Sequence, residues 1–81
     1  MNTNGCKTLK VGQSVTYRGG WGKDDPKDVK VIGIELCQQE HEKYGTPVKE
    51  VNVADIPRSV FDLDDGHWCY GYQIDAVHPI S

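Results

Sequence analysis

The pair Asp65-Gly66 sits between two short stretches rich in β-forming residues, Ser59–Leu63 and His67–Tyr72. Asp-Gly flanked in this way is a strong hairpin signal, because both central positions of a two-residue type I′ turn need positive φ. A two-residue loop sets Leu63 opposite Trp68, Asp62 opposite Cys69 and Phe61 opposite Tyr70. Phe61, Leu63, Trp68 and Tyr70 then share one face, and Asp62, Asp64, His67 and Cys69 share the other. Burying each large apolar side chain contributes about 1.5–3 kcal/mol, whereas burying unpaired carboxylates costs several kcal/mol. This register therefore predicts the aromatic face as core.

The rest of the chain also reads as β. Val15 and Tyr17 alternate with Ser14 and Thr16, predicting a first strand over Gln13–Arg18. Residues Gly19–Lys27, with three glycines, a proline and adjacent acids, predict a long loop. The second strand is expected from Asp28 to about Gln38. It has apolar residues on both faces: Ile32, Ile34 and Leu36 on one, Val29, Val31 and Cys37 with Gly33 on the other. Gly33 is the natural place for it to bend. A charged loop over Gln39–Pro47 follows, then a strand over Val48–Val53, a turn over Ala54–Arg58, and the hairpin, whose last strand extends toward Ile74. The best candidate for a near-helical piece is a single turn around Ile74–Val77.

With 81 residues the chain has room for one domain. Residues 1–8 are expected as a flexible tail and 9–81 as a single β domain. The Val11-Gly12-Gln13-Ser14-Val15 entry, the long first loop, the shorter second loop, the tight late hairpin and the final turn together resemble the SH3-like small barrels, of the kind found in small bacterial and phage-borne proteins. The resemblance implies an all-β fold, a five-stranded barrel with a short C-terminal turn. It does not extend to the peptide-binding signatures: there is no Ala-Leu-Tyr-Asp-Tyr segment and no paired Trp-Trp.

Charge narrows the partners. Residues 1–43 carry seven Lys/Arg against six Asp/Glu, and residues 44–81 carry two against six, within an overall net of −3. An acidic half repels phosphate, which disfavours nucleic acid, and a basic or neutral protein partner is easier to accommodate. No apolar run is long enough to span a membrane, and the start of the chain lacks the apolar core of a signal peptide. Cys6, Cys37 and Cys69 are odd in number and have no paired spacing, which argues against a disulfide framework and for a reduced, cytoplasmic setting.

Trp21 and Tyr44 stand apart from the other aromatics because each lies in an expected loop. An exposed Trp offers large contact area at small entropic cost, or it folds back as a lid on one end of the domain. Asp24 and Asp25 follow Trp21 closely and could pair with basic ligand groups. The expected binding surface is therefore Trp21, Asp24, Asp25, Tyr44 and Tyr72, engaging a protein or peptide. Asp62, Asp64, His67 and Cys69, with Cys37 or His41, are metal-ligand types without the spacing of a zinc site, so neither metal nor cofactor is expected. Nucleophilic catalysis by Cys69 or Cys37 is disfavoured, since neighbouring carboxylates raise a thiol pKa. The leading expectation is a non-enzymatic interaction module. The alternatives are a nucleic-acid accessory protein using Arg18, Lys23, Lys27 and Lys30, or a small metal-binding regulatory domain. Oligomeric state is left open, because the long second strand or the last one could pair edge to edge.

Overall fold

A computed structural model describes residues 1–80. The chain is mostly β. Eight strands follow in order among the described residues: β1 (Thr8–Lys10), β2 (Ser14–Arg18), β3 (Pro26–Leu36), β4 (Thr46–Val48), β5 (Glu50–Asn52), β6 (Ser59–Leu63), β7 (Trp68–Tyr70) and β8 (Ile74–Val77). Two 3₁₀ turns, Val53–Arg58 and Gly71–Gln73, join β5 to β6 and β7 to β8. The main sheet has the order β7-β6-β3-β2-β8, with β4 added on β3, while β1 and β5 form a separate pair. Every ladder between these strands is antiparallel. The all-β class expected from the sequence holds, but the described residues form eight strands rather than five, and their sheets are not closed into a barrel. No helix among the described residues is long and apolar enough to cross a membrane.

β3 is the spine. Its first half pairs with β2 and its second half with β6 and β4. The bend expected at Gly33 is a β-bulge: Val31 pairs with Leu63 and Gly33 with Asp62, so two residues of β3 face one of β6. The bulge shifts the alternation by one. Val29, Val31 and Ile34 all turn inward, and Ile32 is left 57% exposed. The strand thus does not keep Ile32, Ile34 and Leu36 on a common face. The expected Val48–Val53 strand is likewise interrupted at Lys49, whose carbonyl accepts from the Val11 N–H.

The core gathers Leu9, Val15, Tyr17, Val31, Ile34, Val51, Ile56, Phe61, Leu63, Cys69, Ile74 and Val77. Two of these correct the sequence reading at the C-terminus. Ile74 and Val77 are three apart, which looks like one helical turn. In the structure they lie on β8, where a register shift against β2 between Thr16 and Tyr17 brings both inward. The turn itself comes earlier, at Gly71–Gln73. Gly71 allows it, since a Cβ there would overlap the Ile56 carbonyl.

The N-terminal segment, expected as a flexible tail, makes backbone hydrogen bonds with β8: Asn2 N–H to the Asp75 carbonyl (2.7 Å) and Val77 N–H to the Asn2 carbonyl (2.8 Å). β1 begins at Thr8.

Candidate functional site

The β6–β7 hairpin differs from its sequence expectation by one residue. Leu63 N–H donates to the His67 carbonyl (2.9 Å), and Gly66 N–H donates to the Leu63 carbonyl (3.2 Å). The loop is therefore Asp64-Asp65-Gly66, a turn followed by a left-handed glycine, Gly66 at φ +87°. Asp65 is not among the residues with positive φ, as a two-residue type I′ loop would require. The pairs become Asp62 with Trp68, Phe61 with Cys69 and Val60 with Tyr70. A one-residue slip moves every side chain of a strand to the other face. Cys69, expected outside, is fully buried, and Trp68 and Tyr70, expected in the core, look outward and are half-buried.

On this outer face an aromatic layer forms. Tyr70 is its hub: Trp68 meets it edge-on at 5.1 Å between centroids, Trp21 at 5.9 Å, His41 at 5.8 Å, and Tyr72 stacks on it at 6.0 Å. Trp21 also packs against Trp68 at 6.0 Å and 79°. Such ring pairs each contribute about 0.5–1.5 kcal/mol beyond area burial. Val60 lies beneath, 4% exposed, opposite Tyr70. Lys43 places its ammonium 4.9 Å from the Trp68 ring.

Trp21 belongs to the turn Gly19–Gly22, where Gly20 (φ +58°) and Trp21 (φ +62°) are both left-handed. For a bulky side chain that conformation costs about 1–2 kcal/mol. The turn is held by Asp24 N–H to the Gly19 carbonyl (3.1 Å) and by the Tyr72 hydroxyl donating to the Trp21 carbonyl (3.4 Å). A Cβ at Gly20 would lie 2.7 Å from the Asp24 carboxylate, so a side chain there would also displace the exposed Asp24 side chain. His41, which meets Tyr70 edge-on, is also left-handed (φ +66°). Two of the three non-glycine residues with positive φ among the described residues thus present rings to one cluster. Trp21 is neither a buried lid nor a free loop side chain. One edge packs on its neighbours, and 61% of the residue stays exposed.

Beside this layer runs a groove of about 360 Å³, walled by Trp21 and Trp68, floored by Tyr17 and rimmed by Asp24 and Asp25. Asp65 collects hydrogen bonds from three lining residues: from the Tyr17 hydroxyl (2.6 Å), from Lys27 Nζ (2.8 Å) and from the His67 backbone N–H (3.0 Å), with His67 Nδ1 at 3.3 Å. Burial opposes ionisation of Asp65, but the donors from Lys27, Tyr17 and His67 outweigh it and hold the carboxyl well below the usual range. Burial, reinforced by the Asp65 charge, pushes Tyr17 up to about 12. Lys27 is thus held by Asp65, whereas Asp24 and Asp25 have no ion-pair partner among the described residues.

Of the residues singled out in the sequence, the structure brings Trp21, Asp24, Asp25 and Tyr72 to this region. Tyr44 is 75% exposed and meets the Lys43 ammonium at 5.5 Å rather than joining the ring cluster. Trp68 and Tyr70 were read from the sequence as core, and His41 only as a metal-ligand type. The three-residue reading of Asp64-Asp65-Gly66 was the available signal for the first two. Inside the core, burial and then the Asp65 and Asp62 charges raise the Cys69 thiol to about 12, and burial also raises Cys37. Neither is a thiolate at neutral pH. Asp62, paired with Trp68, lies on the opposite face of the sheet from Cys69, and no group of three His, Cys, Asp or Glu among the described residues could hold a metal ion.

Comparison of the chain with protein-family models, with curated proteins and with solved structures finds no match.

Proposed function

We propose that this chain is a non-enzymatic protein- or peptide-interaction module. It binds its partner along the groove between Trp21 and Trp68, with Asp24 and Asp25 on the rim and Tyr72 beside it. The observation that carries this reading is Trp21, a tryptophan 61% exposed, held in a strained left-handed turn and braced by a ring cluster. Strain of about 1–3 kcal/mol at an exposed aromatic persists where a surface is pre-organised for contact. The unpaired carboxylates on the rim support a basic rather than an acidic partner. The order of elements, with a long first connection, a bent central strand, a late hairpin and a 3₁₀ turn before the last strand, supports an SH3-like kinship. Three free thiols support the reduced, cytoplasmic setting.

Selection from a random peptide library on the immobilised domain tests the reading, with Trp21→Ala as the comparison and circular dichroism as the check on folding. Convergent sequences on the parent chain that fail to bind folded Trp21→Ala support it. A parent chain that enriches nothing, or a folded Trp21→Ala that binds the same peptides equally well, overturns it.

A further inference from the structure

β7 lies at the end of the main sheet and pairs with β6 alone. In an antiparallel ladder, bonded and non-bonded residue pairs alternate. Leu63 and His67 are a bonded pair, so Phe61 with Cys69 is the next, and the backbone groups of Trp68 and Tyr70 point away from β6. Tyr70 N–H is taken: it donates to Gln73 Oε1 at 2.9 Å. The other end of that amide, Gln73 Nε2, donates to the Arg18 carbonyl at 3.1 Å. Gln73, 5% exposed, therefore spans the gap between the β7 edge and the end of β2 and stands in for a strand there.

Two residues away no such bridge exists. The Trp68 N–H and carbonyl find no partner among the hydrogen bonds of the described residues outside the β6 ladder, which faces the other way. The groove opens at this point, between the Trp68 edge and Trp21. Unpaired edge groups beside a groove template the addition of an extended chain. The occupant's charge follows from the rim: Lys27 is committed to Asp65 at 2.8 Å, and Asp24 and Asp25 are left without counter-ions among the described residues. Resting on the interaction-module reading above, we infer that the partner is an extended segment of a protein. It adds to β7 through the backbone of Trp68, lies against Trp21, and carries a basic residue toward Asp24 and Asp25. The addition is short. It stops where Gln73 has already capped Tyr70, so side-chain contacts rather than a long ladder set its specificity.

The probe is a peptide enriched by the selection described above, synthesised with each backbone nitrogen methylated in turn and titrated by tryptophan fluorescence. One backbone position is expected where methylation weakens binding by about tenfold or more, the step that separates a needed hydrogen bond from a tolerated change. The Trp68 amide, followed by hydrogen exchange, is expected to slow by at least about tenfold on binding, because it is bonded only in the complex. Replacing the peptide's basic residue by norleucine is expected to weaken binding several-fold in the parent chain and not in Asp24→Asn/Asp25→Asn. A peptide that binds with no methyl-sensitive position, or with an unchanged Trp68 amide, overturns strand addition and leaves the interaction module standing. Equal loss of the basic residue in parent and double variant overturns the assigned charge contact. Protection of Trp68 without peptide, rising with protein concentration, gives the edge to a second copy of this chain and overturns the proposal. Failure to enrich any peptide removes the module reading itself.

Discussion

On the inner face of the β6–β7 hairpin, Phe61, Leu63 and Cys69 are at most 1% exposed. One residue along each strand, Val60, Trp68 and Tyr70 look outward and build the aromatic layer that meets Trp21, His41 and Tyr72. The inner face joins a core closed by packing from β2, β3 and β8. The outer face has a buried floor, Val60, but an open top. Whether a large ring ends up as core or as surface here depends on a single loop residue. The comparison teaches that hydrophobicity alone does not sort the two faces, because each carries large apolar side chains; the turn does.

The largest expected effect is on thiol reactivity. Cys69 is fully buried and Cys6 only half-buried. If Cys69 reacts only through global opening, and stability is about 5 kcal/mol, a disulfide reagent should modify it on the order of a thousand times more slowly than Cys6. The two-residue register would put Cys69 on the outer face. Comparable rates for the two thiols, followed by mass spectrometry of the folded protein, would break the comparison at its root.

Truncating each face in turn comes next. Phe61→Ala is expected to cost about 3–5 kcal/mol, as for other fully buried aromatic residues, and to leave a chain this small largely unfolded. Trp68→Ala removes a larger side chain from a half-buried position and is expected to cost well under that. Urea midpoints settle the ranking, and a Trp68→Ala cost equal to that of Phe61→Ala would mean that the outer layer is core in all but name.

These two residues also show how far the sequence carried. Hairpin, strand bounds of β6 and the inward face of Phe61 and Leu63 were legible, because β-forming runs and Asp-Gly specify a reversal. The register was not, since Asp64-Asp65-Gly66 satisfies a two-residue or a three-residue loop equally well at the level of residue type. Ile32 was misplaced for a related reason: Gly33 announced a bend, but nothing in the residue types says whether a bend keeps or inverts the alternation. Ile74 and Val77 show the converse, a bulge that imitates a helical spacing. Trp21 was legible as a candidate because glycines flank it. His41 was not, because its role depends on a loop folding back onto Tyr70.

Asp65 links the two faces, tying core Tyr17 to groove-side Lys27 and His67. Its carboxyl is held below the range of an unfolded aspartate, near 4, so it contributes stability at neutral pH that is lost as pH falls through and below that value. Asp65→Asn is expected to destabilise by about 1.5–3 kcal/mol at pH 7, the range for hydrogen bonds to a charged group. Denaturation between pH 7 and pH 3 should show the gap between parent and variant closing toward acid. A gap independent of pH would mean that the carboxylate charge does not hold the two faces together.

The smallest effect bears most directly on the loop. Gly66 has φ +87°, and an added Cβ would meet nothing within 4 Å, so Gly66→Ala introduces backbone strain with no clash. That strain is about 1–2 kcal/mol for alanine, and less for asparagine, which enters the left-handed region more readily. Gly66→Ala should therefore lower stability by about 1 kcal/mol and Gly66→Asn by less. Because Gly66 N–H closes the turn on the Leu63 carbonyl, the substitutions leave the register in place. The chemical shifts of Trp68 and Tyr70 should then hold their pattern in both variants. If alanine instead shifts both outer rings into the core pattern and exposes Cys69 to thiol reagent, the three-residue loop is held by Gly66 alone. The outer aromatic layer would then be one substitution away from becoming the inner face.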